Sequence, residues 1–116
     1  MGIDGVVNSF TAGADRAHTE SHPPVIRIGK LKTGNGVLPT GQLLVRDANN
    51  LLVPYTGAEN EVMVGVLDIG IDTAVHEIGE YVIHGTVKAR LLSKDNGSEL
   101  TTEDIFALYK IGIFAE

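Results

Sequence analysis

The stretch EYVIHGTVKARLL, Glu80 to Leu92, decides the fold class. Tyr81, Ile83, Gly85, Val87, Ala89 and Leu91 alternate with Val82, His84, Thr86, Lys88 and Arg90. One set is apolar and the other mostly polar, the period-two pattern of a strand with one face on a core. Gly85 in mid-strand predicts a bulge or a close backbone approach. Upstream, VMVGVLDIG (Val62 to Gly70) reads as a second strand and VIRIGKL (Val25 to Leu31) as a third. Between them, QLLVRDANNLLVPY holds two apolar runs split by DANN, where Asn49 and Asn50 tolerate the left-handed backbone of a hairpin turn. KTGNGVLPTG and GAEN read as loops. Downstream, SKDNGSE breaks the chain, with a turn at Asn96-Gly97. TTEDIFALYK predicts one short helix, capped by Thr101 with Asp104 three residues on and Lys110 near its negative pole. Gly112 ends it, and IGIFAE closes as a short strand.

The bulk numbers agree with a mainly β domain. A chain of 116 residues suffices for one core, and 43 % hydrophobic content is enough to fold it. With aromatics at 5 %, no Trp and 14 Gly, the core must be Val, Ile and Leu, which favour strands. Fifteen acidic against nine basic residues give a formal charge of −6. That balance, without a basic run, argues against nucleic acid and anionic membranes as partners. No apolar run has membrane-spanning length, and no signal-type segment is expected. Without Cys there is neither disulfide nor thiolate chemistry.

Residues 1–22 differ in texture. Small and polar residues dominate, and VVNSF, Val6 to Phe10, is the only apolar knot. His22-Pro23-Pro24 then forces extended backbone. The expected division is a flexible N-terminal arm over 1–22 and a β-rich domain over 23–116. On this reading the arm offers the core almost nothing, and the domain folds without it.

Candidate chemistry fails on inspection of its spacing. His18 and His22 stand at i, i+4, but the segment lacks helical period and His22 precedes a proline; a metal site would also need a third ligand. His76-Glu77 begins like a zinc-protease motif, yet Glu80 stands where the second His belongs. Gly34-Asn35-Gly36 lacks the third glycine of a dinucleotide loop, since Pro39 occupies that place. The residues therefore give no catalytic set, no metal site and no cofactor.

Several stretches resemble the lambda-type head decoration proteins of tailed bacteriophages. ADRAHTESHPP is similar to the family's arm segment, through Asp15, Ala17, His18 and Thr19. VMVGVLDIGID, with Gly65, and YVIHGTVKARLL are similar to its central strands, and LTTEDIFALYKIGIFAE to its closing helix and strand. The resemblance covers about Asp15 to Glu116. It implies a small β-barrel or β-tulip-like domain and a non-enzymatic homotrimer on the outside of the expanded phage head, made in the host cytoplasm. There it would grip the major capsid protein and resist internal DNA pressure. The arm would order on the shell by strand addition. Its contacts would be Val6, Val7 and Phe10, chosen by size, with Asp15, Ala17, His18 and Thr19, chosen by resemblance. Two rivals remain: a phage surface or tail module recognising carbohydrate or host surface, and a small metal-dependent β-barrel enzyme using His18, His22, His76, Glu77 and His84.

Overall fold

The computed structural model describes residues 16–58, 60–95 and 98–116. Its elements are β1 (Val25–Lys30), β2 (Val37–Leu38), β3 (Leu43–Arg46), β4 (Leu52–Pro54), β5 (Met63–Leu67), β6 (Ile71–Asp72), β7 (Ile78–Val87), a 3-10 turn (Ala89–Leu91), α1 (Thr102–Lys110) and β8 (Ile113–Ala115). The protein is mainly β with one short helix near its C-terminus, as the strand patterns predict.

The β3–β4 hairpin forms around DANN. Asp47 N–H donates to the Leu51 carbonyl at 2.9 Å, and the Asp47 side chain accepts from Asn49 and Leu51 N–H at 2.8 and 3.0 Å. Asn50 takes the left-handed conformation at φ 66°. The Thr101 cap is a full capping box: Asp104 N–H donates to the Thr101 side chain, and Thr101 N–H to the Asp104 carboxylate.

The main sheet runs β1-β7-β5-β3-β4, each neighbour antiparallel, with β8 added parallel to β7. Alternating directions along five strands leave β1 and β4 parallel to each other. A parallel bridge, Leu31 to Leu52, joins those ends, with Lys32 N–H donating to the Leu52 carbonyl at 3.1 Å. The sheet thus curls into a small barrel closed at one point. Alternation sorts the side chains into two cores. Leu31, Leu38, Leu44, Leu52, Leu67 and Tyr81 fill the inside. Leu43, Val45, Val66 and Val82 face outward and are covered by Leu108, Ile113, Leu92 and Ala17. The short β2–β6 pair brings Leu38 and Ile71 onto the inner core.

A five-stranded barrel has little interior. Glycines at inward positions make room for the larger side chains. A Cβ on Gly29 would fall 2.8 Å from the Tyr81 ring, and one on Gly79 would fall 2.8 Å from Leu31. At Gly65 it would lie 2.5 Å from the Val82 carbonyl and 2.8 Å from the Tyr81 ring. The buried Tyr81 hydroxyl accepts from Arg46 Nη2 at 2.8 Å, so the ring enters the core with its polar end satisfied.

Three expectations are corrected. The strand read over Glu80 to Leu92 begins at Ile78 and stops at Val87, because the chain turns into the 3-10 segment. Its alternation also breaks. Val87 belongs with Tyr81 and Ile83 by period, yet it shares the outer core with Val82. The cause is a bulge: Val25 pairs His84 while Ile26 pairs Val82, leaving Ile83 without a partner on β1. Gly85 then takes φ 123° with Pro24 so close that a Cβ would sit 3.0 Å from its Cα. Third, the body begins before the double proline. Ala17 is fully buried in the outer core, and Arg16 to Thr19, Ser21 and His22 are hydrogen-bonded to the domain. This root escapes a periodicity search because only one small side chain enters the core. Val6, Val7, Phe10 and Asp15, like the Asn96-Gly97 turn, lie outside the described residues.

The barrel geometry predicts that Gly65→Ala is poorly tolerated. Its new methyl meets backbone and a ring that cannot yield, and overpacking of this kind costs about 1–3 kcal/mol. Thermal unfolding followed by circular dichroism should show a clear drop in Tm; an unchanged Tm would contradict the packing described.

Candidate functional site

The best-developed polar site in the described chain is the root of the N-terminal segment. Asp68 ends the β5 run, and its side chain is fully buried. Isolated, such a carboxylate would be expensive. Here it is surrounded by donors from one short stretch. Arg16 Nε and Nη2 both lie 2.6 Å from Asp68 Oδ2. His18 N–H donates to Oδ1 at 3.0 Å, and His18 Nδ1 lies 2.9 Å from the same oxygen. A carboxylate oxygen only accepts, so Nδ1 carries the proton. Arg16 Nη2 also reaches Glu80 Oε1 at 2.5 Å.

Main chain completes the clamp. Ala17 N–H donates to the Asp68 carbonyl and Lys88 N–H to the Ala17 carbonyl, at 2.9 and 2.8 Å. Thr19 N–H donates to the Thr86 carbonyl at 2.9 Å, and His18 bridges antiparallel to Val87. Residues 17–19 are therefore a short extra strand on the bent end of β7. Its other side holds β8, where Gly85 N–H donates to the Gly112 carbonyl and Glu116 N–H to the Val87 carbonyl. Beyond this, Glu116 Oε1 and Oε2 accept from Thr19 Oγ1 and Ser21 Oγ at 2.7 and 2.8 Å.

Burial pushes the Asp68 carboxyl up, but hydrogen bonds from the His18 ring, the His18 N–H and Arg16 outweigh it and hold its pKa below the ordinary 3.8. Glu116 is lowered as well, by the Ser21 and Thr19 hydroxyls. A second buried carboxylate braces the other side of the outer core. Asp104 accepts from the Tyr55 hydroxyl at 3.0 Å and lies 3.0 Å from Lys94 Nζ. Burial and the Asp104 partnership push the Tyr55 hydroxyl up to about 12. Burial raises the Asp104 carboxyl, and bonds from Thr101, Lys94 and Tyr55 bring it below 3.8.

Beside the root lies an exposed aromatic row. The His22 and Phe114 rings are 6.4 Å apart, Phe114 and Tyr109 5.5 Å, and Tyr109 and Phe106 6.1 Å. Phe106, Tyr109 and Phe114 are 54 %, 41 % and 40 % exposed, so half of the chain's six Tyr and Phe residues face outward on one side.

Of the residues read from the sequence, Ala17, His18 and Thr19 come together at this root. His18 and His22 do not converge: one ring is on Asp68 and the other beside Phe114. Among the described residues no three His, Asp or Glu side chains gather to hold a metal ion. Glu77 lies 3.9 Å from Lys30, and the exposed His84 ring packs over Gly112. Asp68, Glu80, Thr86 and Glu116 are missed by sequence reading. Asp68 alone left a signal, as a lone acid closing the apolar run VMVGVLDIG. A charge carried into the core by such a run requires a partner. Neither the protein-family models nor the curated proteins compared with the chain match it.

Removing residues 1–19 should destabilise the domain by about 3 kcal/mol or more, because a buried ionised Asp68 loses its partners. Removing residues 1–15 leaves those partners in place and should cost far less. Urea titrations of the two deletions give the comparison; equal midpoints would show that the root contributes nothing. The pH dependence follows in sign. The carboxyls of Asp68 and Asp104 have folded pKa values below 3.8. Their stabilisation is therefore complete above that pH and is lost as pH falls through the lower folded values. Asp68→Asn should lower stability at neutral pH by about 1.5–3 kcal/mol, with a difference from wild type that shrinks on acidification.

Proposed function

We propose that this protein is a non-enzymatic decoration protein of a tailed-phage head, trimeric on the outer surface of the virion and bound to the major capsid protein. The observation that supports it most is the role of the stretch resembling the family's arm segment. Ala17, His18 and Thr19 bind the segment's end to the body through buried Asp68 and the end of β7. An arm used to grip a shell under outward pressure has to pass its load to the body, and this root offers such a joint. Residues 1–15 precede it, and the capsid contacts are assigned to Val6, Val7, Phe10 and Asp15; Ala17, His18 and Thr19, expected among those contacts, are instead engaged with the body, Ala17 being fully buried there. Three arms on one trimer would act through effective concentration, so each need bind only weakly.

The exposed row Phe106, Tyr109 and Phe114 favours a second reading, a surface or tail module that stacks sugar rings on aromatic faces. On the capsid reading the same row is an apolar contact between copies or with the shell.

Two measurements test the proposal. Light scattering on a sizing column should give three chains per particle at micromolar concentration. Expanded heads assembled from the source phage's own capsid protein should pellet with the full chain and not with the chain lacking residues 1–15. A protein that stays monomeric and ignores heads, but binds on a glycan array through Phe106, Tyr109 or Phe114, would replace the first reading with the second.

A further inference from the structure

The solvent side of α1 is built around Phe106. Asp104 and Leu108 are buried, while Thr102, Glu103, Phe106, Tyr109 and Lys110 are exposed. At 3.6 residues per turn those five positions cover about a third of the helix circumference, with Phe106 in the middle. Phe114 extends the stripe from Tyr109 onto β8. A helix face turned to water is ordinarily polar, so two large rings at its centre require a cover.

The rings do not form a platform. Phe106 and Tyr109 are inclined at 66°, Tyr109 and Phe114 at 37°, and Phe114 and His22 at 56°. A run of sugar rings lies flat on coplanar faces, and none is offered here. Side chains that protrude at angles to one another fit the grooves of another helix instead.

Charge placement says which helix. Glu103 lies in the first turn of α1 and Lys110 in the last. They stand seven residues apart, about 10 Å along the axis, and their midpoint falls between Phe106 and Ala107. Turned end for end about that midpoint, the stripe puts a carboxylate where an ammonium stood and an ammonium where a carboxylate stood. Two copies of α1 laid antiparallel therefore bring each Glu103 against the other's Lys110. The same placement sets Phe106 of each copy between Phe106 and Tyr109 of the other. Such a contact is isologous and closes at two helices.

We propose that α1 pairs antiparallel with α1 of a second copy of this chain, through Phe106 and Tyr109 flanked by two reciprocal Glu103–Lys110 pairs. Phe106, Tyr109 and Phe114 together leave roughly 300 Å² of ring surface open, against about 800 Å² on each partner of a stable complex. The contact is therefore weak and fills above the micromolar range. A ring of three chains needs a heterologous contact through other surfaces, so the inference does not rest on the phage reading. If both hold, α1 joins neighbouring trimers where a crowded surface supplies the concentration.

Sedimentation velocity tests the pairing at physiological ionic strength, where repulsion between chains of charge −6 is screened beyond about 8 Å. The wild-type mass should double between micromolar and submillimolar concentration. Glu103→Lys alone and Lys110→Glu alone should not double, because each sets like charges against like. An equimolar mixture of the two variants should double again, because every charge then meets its opposite on the other chain. The micromolar mass reports the number of chains in the trimer reading and the doubling reports α1, so the two can fail separately. A wild-type mass unchanged up to submillimolar concentration would overturn the proposal, as would a mixture no heavier than its parts. Should a charge reversal fail to fold, cysteines decide, since the chain has none of its own. A tagged Glu103→Cys chain mixed with a Lys110→Cys chain should oxidise to a mixed disulfide. Neither should link to itself, because like positions stand about 10 Å apart along the axis, beyond the reach of a disulfide. Self-linked products as abundant as the mixed one would exclude the antiparallel pair.

Discussion

β7 has to serve two layers, and the rest of the architecture follows from how it does so. Its first half pairs β1 on one side and β5 on the other inside the barrel sheet. Its last residues leave that sheet and pair β8 on one side and residues 17–19 on the other. A regular strand cannot do both, because alternation would keep Val87 on the side of Tyr81. The bulge at Ile83 and the φ of 123° at Gly85 shift the register and re-aim the strand. Val87 then joins Val82 in the outer core. Any residue with a Cβ at position 85 would be strained in backbone and pressed against Pro24. The bend, the double proline and the docked root are thus one mechanical unit.

Asp68 supplies what apolar contact alone lacks. Ala17 buries too little surface to hold a strand, at roughly 25 cal/mol per Å². Each residue ordered costs about 1–2 kcal/mol. A buried carboxylate is costly unless paired, and its partners must arrive at fixed geometry. Arg16 and His18 flank Ala17 and satisfy the same carboxylate, while Ala17 N–H meets the carbonyl of the same residue. Sliding the segment by one residue would bury the charge unpaired. The carboxylate therefore sets register, and the small side chain lets the segment approach closely enough to use it.

The strands were legible where alternation or apolar runs are long, as in β7, β5 and the β3–β4 hairpin. The helix was legible from Thr101 and Asp104, because a capping box is a local chemical pattern. β2 and β6 were not, since each has two residues and no period to detect. The end of β7 was misread because Lys88 to Leu92 continue a strand pattern that the bulge has already put out of phase. Ala17, His18 and Thr19 drew attention by family resemblance, but their bonding to the body did not show. It depends on Asp68, 50 residues away from His18 along the chain, and a single sequence carries no trace of that pairing beyond an acid in an apolar run.

The rooted segment also bears on how an arm could bind cheaply. Four residues from Arg16 to Thr19 are ordered before any partner arrives. At about 1–2 kcal/mol per residue, an arm that had to order them on binding would lose roughly 4–8 kcal/mol of its contact energy. Placing that cost in the folding of the domain, where Asp68 and the outer core offset it, removes it from any later binding step.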